Sequence, residues 1–212
     1  MEAVQTIALT MGLAWASGIN LYAAIFMLGL MGSTGHIVLP PDLQVLTDPY
    51  VILAAGFMYC VEFFADKVPG VDTSWDTLHT FIRIPAAALL AAKAVGPVEP
   101  SIELVALILG GTLGAATHFT KMGSRILINT SPEPFSNWTA SLTEDVVVFA
   151  GLWTALQHPV VFLVLLAVFI VLIIWALPRL YRAIKAILAR VKGWLSSAPE
   201  AAPQIENKTP AN

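Results

Sequence analysis

The chain has 212 residues, of which 57% are hydrophobic and 12% charged, where an ordinary soluble domain carries about 25% charged residues. Too few charged groups remain to cover a water-facing surface, so a soluble globular protein is excluded. A formal net charge of −3 gives no basis for nucleic-acid binding. The single cysteine, Cys60, rules out an internal disulfide or a thiolate metal cage. Within its apolar run it reads as a small buried thiol.

Six apolar segments follow in chain order, near residues 4–31, 49–64, 81–95, 102–128, 142–156 and 160–177. About 20 residues cross a hydrocarbon core, and the last segment contains no charged residue. The fold expected is therefore an all-α integral membrane protein of about six transmembrane helices. The start is not a cleavable signal peptide by pattern, since Glu2 stands where a basic region belongs. Residues 178–195 form a basic amphipathic helix, with Leu180, Ile184, Ile187, Leu188, Val191 and Leu195 at helical spacing. It suits the cytoplasmic leaflet and its anionic lipids. Residues 196–212 are rich in Pro, Ala and polar residues and read as a disordered tail.

Basic residues set the orientation, because cytoplasmic loops collect Lys and Arg. Loop 32–47 and the turns at 96–101 and 157–159 have none. Lys67, Arg83, Lys121, Arg125 and the cluster from Arg179 to Lys192 all fall on one side if there are six spans. That side is cytoplasmic, with both termini, and the membrane is the inner (plasma) membrane. Lys93 is the exception and snorkels from the outer end of the third helix.

The halves 1–98 and 99–177 pair loosely. Ala8-Leu9-Thr10-Met11-Gly12 resembles Ala106-Leu107-Ile108-Leu109-Gly110, which sets Asn20 opposite His118, and Leu46-Thr47-Asp48 resembles Leu142-Thr143-Glu144. Read as a repeat, three spans per copy make two inverted halves, a common transporter architecture. Chance matching of apolar segments is the alternative. The first and fourth segments are long and interrupted, by Ser17-Gly18-Ile19-Asn20 and by Thr117-His118 with Lys121. Such helices point to a transport site. For Gly110 and Gly114, four apart, close helix packing is the competing reading. Asn20 and His118 are costly in a bilayer and lean to function.

Two polar constellations flank the spans. In the first, Glu62 and Asp66 are four apart, Pro69-Gly70 makes a turn, and Asp72, Asp76 and His79 share one face if a helix restarts there. Glu62, Asp66, Asp72 and Asp76 are candidate ligands for a divalent cation or a proton relay. Against that stand a Thr73/Asp76 capping box, pairing of Asp66 with Lys67 or Arg83, and an interfacial belt at Trp75 and Phe81. In the second, Lys121 and Arg125 suit an anionic group, or pair with Glu62 and Asp66. Asn129, Ser131, Glu133, Asn137, Ser141, Glu144 and Asp145 follow. Ser141 and Glu144 read as a capping box opening the fifth helix, and Asp48 as an N-cap before Pro49. Asn137-Trp138-Thr139 is a glycosylation pattern, silent on the cytoplasmic side. His36 and His158 read as solvated loop residues. No nucleophile elbow, phosphate loop or zinc-type spacing appears. No reaction is selected, although acid–base chemistry at the membrane surface stays open.

Ser17-Gly18-Ile19-Asn20-Leu21-Tyr22-Ala23, the stretch from Glu62 to Arg83 with Ala65-Asp66-Lys67-Val68-Pro69-Gly70-Val71-Asp72, and Ser131-Pro132-Glu133-Pro134 with Asn137 together resemble the bacterial membrane family catalogued as domain of unknown function 4126. The resemblance covers most of the chain to Leu177 and implies a compact multi-pass inner-membrane protein.

The functional expectation is a small transporter or channel-like protein for an ion or small solute. Asn20, Glu62, Asp66, Asp72, Asp76, His79, His118, Lys121, Arg125, Asn129, Glu144 and Asp145 are the candidate binding residues. No cofactor is evident beyond a divalent cation at the acidic residues. Partners are membrane lipids, the solute and a second copy of the chain. The alternatives are a lipid-binding or lipid-translocating protein, resting on Lys121, Arg125 and the basic helix, and a structural or assembly subunit using the glycine faces and the basic helix.

Overall fold

The computed structural model describes residues 2–130 and 134–196. Ser131, Pro132 and Glu133 of the second constellation lie outside the described residues, as does the tail from 197. The described residues are all-helical. Six α-helices cover the six apolar segments: α1 (Glu2–Ser33), α2 (Pro49–Ala65), α3 (Val71–Ala94), α4 (Pro100–Ile128), α5 (Pro134–Gln157) and α6 (Pro159–Ser196), with a short 3-10 helix at Pro41–Thr47.

Proline marks the helix starts. Pro49, Pro100, Pro134 and Pro159 each open a helix, where the missing N–H costs nothing and φ is already set. Asp48 is the expected N-cap, its side chain accepting from Tyr50 N at 2.8 Å. Gly70 closes the turn between α2 and α3 at φ +83°, a conformation glycine adopts without strain. The Asp72 side chain accepts from Gly70 N and Thr73 N.

Four local expectations are corrected. α3 starts at Val71, ten residues before the apolar run at Phe81, because its polar face is buried by tertiary partners. Thr73 lies inside that helix and caps nothing, since Gly70 is the N-cap and makes no side-chain cap bond. Ser141 and Glu144 do not open α5, which begins at Pro134; both side chains point to other elements. Cys60 is exposed, because its side of α2 is covered by no other helix. The basic stretch after Leu177 continues α6 through Pro178.

Burial is inverted relative to a soluble protein. Arg83 and Arg125 are among the largest fully buried side chains, while Phe57, Phe81, Val171 and Ile174 are exposed. Three helices, α1, α4 and α6, are long and apolar enough to cross a membrane, which marks the chain as a membrane protein. The 3-10 helix and α2, bent by 68° from one another, pass that test as a pair. α1 is the central helix, packing against each of the other five. Of its most apolar window 78% is buried, against 17% in α6, so α6 lies at the periphery. Small residues let the helices meet. A Cβ on Gly18 would come within 2.5 Å of the Gly114 carbonyl oxygen, and Gly110 and Gly114 face Ala91 and Ala87 of α3. The packing reading of those glycines is thus borne out.

Candidate functional site: a buried ion-pair network around a broken helix

α1 loses helical geometry at Asn20, where φ is −147° and ψ 97°. Such a break frees carbonyls before it and N–H groups after it. Both kinds are satisfied from elsewhere in the chain. The Ile19 carbonyl accepts from Lys121 Nζ at 3.1 Å. The Ala23 N–H donates to Asn20 Oδ1 at 2.9 Å, so Asn20 is the N-cap of the restarted helix. Its amide nitrogen donates to Asp145 Oδ1 on α5 at 3.2 Å. α4, the paired helix, runs through His118 without a break.

Around the break four carboxylates and three cations form ion pairs. Lys121 Nζ is 2.8 Å from Asp66, 3.4 Å from Glu62, 3.5 Å from Glu144 and 3.7 Å from Asp76. Arg83, on the same face of α3 as Asp72, Asp76 and His79, bridges Glu62 at 2.6 Å and Asp76 at 2.9 Å. Arg125 grips Glu144 with two nitrogens, at 2.6 and 3.1 Å, a fork that suits a guanidinium. Its third nitrogen donates to the carbonyls of Asp66 and Asn137. Arg125 therefore ties α4 to α5 and to the turn after α2.

The network continues through amides. Asn129 donates to both oxygens of Asp72 and to Thr73, and Asn137 donates to Asn129 at 2.7 Å. Asn137 is itself buried, which removes it from any glycosylation role. His118 Nε2 meets Thr80 Oγ1 at 2.8 Å. That hydroxyl already donates to the Asp76 carbonyl, so His118 carries its proton on Nε2 and turns Nδ1, as acceptor, toward Arg83. His79 stands to one side. Its Nδ1–H donates to the Trp75 carbonyl, Tyr22 O–H donates to Nε2 at 3.1 Å, and Trp75 stacks on the ring.

Lys67 Nζ donates to Ser141 Oγ at 3.2 Å and to the Phe63 carbonyl, and it lies over the Phe63 ring. In the same turn, burial opposes ionisation of Asp66, but the Lys121 ammonium, its hydrogen bond and Arg125 outweigh it. They hold the carboxyl below its usual range.

The residues match one family profile: that described as Domain of unknown function (DUF4126) aligns with residues 7–179. The chain belongs to the DUF4126 family. No curated protein and no solved structure matches it.

For this DUF4126 chain the candidate residues named from sequence converge. Glu62, Asp66, Asp72, Asp76, His118, Lys121, Arg125, Asn129 and Glu144 share one network, Asn20 and Asp145 pair beside it, and His79 joins Tyr22. Asp66 pairs with Lys121, not with Lys67 or Arg83. Among the described residues no group of three His, Cys, Asp or Glu side chains is placed to hold a metal ion. The carboxylates of the expected cation set face the chain's own cations, and Asp72 faces Asn129. Arg83, Lys67 and Ser141 were missed as site residues. The signal for Arg83 was its spacing of four from His79 and seven from Asp76, one face of a helix. His36 and His158 are exposed, as expected. Lys93 pairs with Glu103 at 3.0 Å and Asp42 at 3.5 Å on the opposite end of the fold.

Two features bear on chemistry. First, the network is short of partners: Glu62 Oε2, Asp66 Oδ1 and Asp76 Oδ2 are buried without a hydrogen bond. Second, a pocket of about 180 Å³ reaches Lys121 and Glu144 between α1, α4, α5 and α6. The hydroxyls of Thr117, Thr120 and Ser124 line it and donate to their own helix backbone. They therefore present acceptor lone pairs to whatever enters.

Proposed function

We propose that this protein is a small membrane transporter or channel-like protein that passes a cation or protons through the buried network around the break in α1. In this reading the helices sit in a bacterial-type inner membrane with the network toward the cytoplasm. The expected inverted halves and cytoplasmic N-terminus are given up, because α1 folds back at Asn20: Glu2 lines one pocket with His36, Pro97 and Gln157, and Leu9 and Leu13 pack with Ile25 and Leu28. Length supports the membrane setting: 24 residues in α3 and in α5 rise about 36 Å at 1.5 Å each. Their polar residues lower the mean hydropathy but face inward, as Asp72, Asp76, His79 and Arg83 do on α3.

The observation that carries the proposal is the charge imbalance at the break. The ion pairs set four carboxylates against three cations, and buried Asp72 and Asp145 beside them accept from amides, so negative groups outnumber positive ones inside a protein with an apolar exterior. Uncompensated charge in that setting is expensive and marks ion and proton pathways. A broken helix near the middle of the bundle is the feature at which many transporters hold an ion, and here the Ile19 carbonyl already holds a cation of the chain itself, the Lys121 ammonium. The acceptor-lined pocket beside Lys121 favours the same sign of ligand.

The geometry speaks against the lipid-handling alternative. Every guanidinium nitrogen of Arg125 is engaged by the chain itself, and Lys121 is ringed by carboxylates, so neither offers an anionic headgroup a free donor. The assembly-subunit alternative keeps the basic helix but loses the glycine faces, which are filled within the chain.

The test is flux in proteoliposomes. Wild-type protein is expected to accelerate equilibration of protons, Na⁺ or K⁺ under an imposed gradient, and Glu62→Gln to slow it. Equal leak for the two proteins would sink the mechanism.

A further inference from the structure

We propose that Asp145 is a proton-binding carboxyl whose state is read by the break in α1 through Asn20. This deepens the transport reading by naming where a proton resides.

Glu62, Asp66, Asp76 and Glu144 each have a cation within 4.0 Å. Asp145 has none within that distance among the described residues, yet it is only 7% exposed. Its Oδ1 accepts one hydrogen bond, from Asn20 Nδ2, and its Oδ2 is buried with no partner. A carboxylate taken out of water without a counter-ion neutralises itself by taking a proton. The helices packed on α5 are α1, α6 and α4. From α1 the facing group is the neutral Asn20 amide, and from α4 it is Lys121, which four other carboxylates already surround. Beyond them stand Asp66 and Lys67 of the turn after α2, and Tyr59 of α2. Among the described residues α6 offers Asp145 no ion-pair partner.

Asn20 makes the state of Asp145 structural. One amide serves two ends: its nitrogen holds Asp145 while its oxygen caps the Ala23 N–H. A hydrogen bond to an ionised carboxylate is about twice as strong as one to a neutral carboxyl. Loss of the charge loosens the amide and, with it, the cap on the restarted half of α1. Binding of a proton on α5 is thereby coupled to the geometry of the central helix.

The test uses a hydrophobic carbodiimide, dicyclohexylcarbodiimide, on the full chain in detergent micelles. A protonated carboxyl adds across one C=N bond, its proton going to nitrogen and its oxygen to the central carbon. The O-acylisourea then rearranges to an N-acylurea, so the protein gains one whole reagent mass and nothing leaves. The expected result is a single adduct that maps to Asp145, declines as pH rises, and is absent in Asp145→Asn. In Asn20→Ala, which keeps the carboxyl but removes its donor and the cap, the adduct is expected to persist to higher pH. Adduct on Glu62, Asp66, Asp76 or Glu144 in place of Asp145, or no adduct at any pH, overturns the proposal, and the wild-type peptide map decides even if a variant fails to fold. Labelling needs no flux. Asp145 labelled with equal leak for wild type and Glu62→Gln refutes transport and keeps the proton site; the converse keeps transport and refutes Asp145.

Discussion

Replacing Lys121 by methionine removes the one ammonium that four carboxylates share. Its side chain is 3% exposed, and it also holds the Ile19 carbonyl at the break. The network goes from four carboxylates against three cations to four against two. Removing one partner of a buried ion pair costs about 3–5 kcal/mol. For a chain of this length each kcal/mol shifts Tm by about 2–4 °C, so the expected fall is about 6–20 °C. Glu62→Gln works in the other direction. It brings the network to parity, three against three, and keeps an oxygen for Arg83, so its cost is expected to stay near a single hydrogen bond, about 1 kcal/mol. Combining the two substitutions should recover part of the Lys121→Met loss, because the residues are in contact and do not add independently. Thermal unfolding in a mild detergent, followed by fluorescence of the six tryptophans, measures all three. If Glu62→Gln costs as much as Lys121→Met, or if the double variant is simply additive, the excess of negative charge is not what governs this site.

Two further outcomes follow from packing and topology. Gly18→Ala puts a methyl group 2.5 Å from a backbone oxygen on α4, which cannot yield, so folded protein is expected to be lost. Gly111→Ala meets only the Ala88 side chain at 3.1 Å and should fold; size-exclusion profiles compare them, and similar profiles would refute the close α1–α4 approach. Reporters fused after Lys67 and after Thr130 are expected on one face of the membrane and a reporter after His36 on the other; Lys67 and Thr130 on opposite faces would refute a shared side for the two charged constellations.

The helices were legible in the sequence because apolar runs report a segment's mean character. The start of α3 was not, because the mean hides the face. Between Asp72 and Arg83 the polar residues look like a loop on average, yet they recur at helical spacing and are buried by α1, α2 and α4. Ser141 and Glu144 failed for a related reason. A capping box and an ordinary helical pair have the same spacing, and only the start at Pro134 separates them. What sequence did disclose was that the charged ends of the second and fourth segments share a side: basic residues placed them there, and Lys121 meets Glu62 and Asp66. Which cation takes which carboxylate depends on helix rotation, which apolar periodicity leaves loose when every face is hydrophobic. The break at Asn20 sits between these cases. Ser17-Gly18-Ile19-Asn20 announced an interrupted helix, but an interruption survives inside a bundle only if other groups satisfy the freed backbone. Lys121 and Asn20 itself do so here. The break and the network therefore depend on each other: without Lys121 the Ile19 carbonyl is orphaned, and without the break Lys121 has carboxylates around it but no backbone oxygen to fix its position. A change in the charge of the network is thus bound to act on the geometry of α1, the helix that every other one packs against.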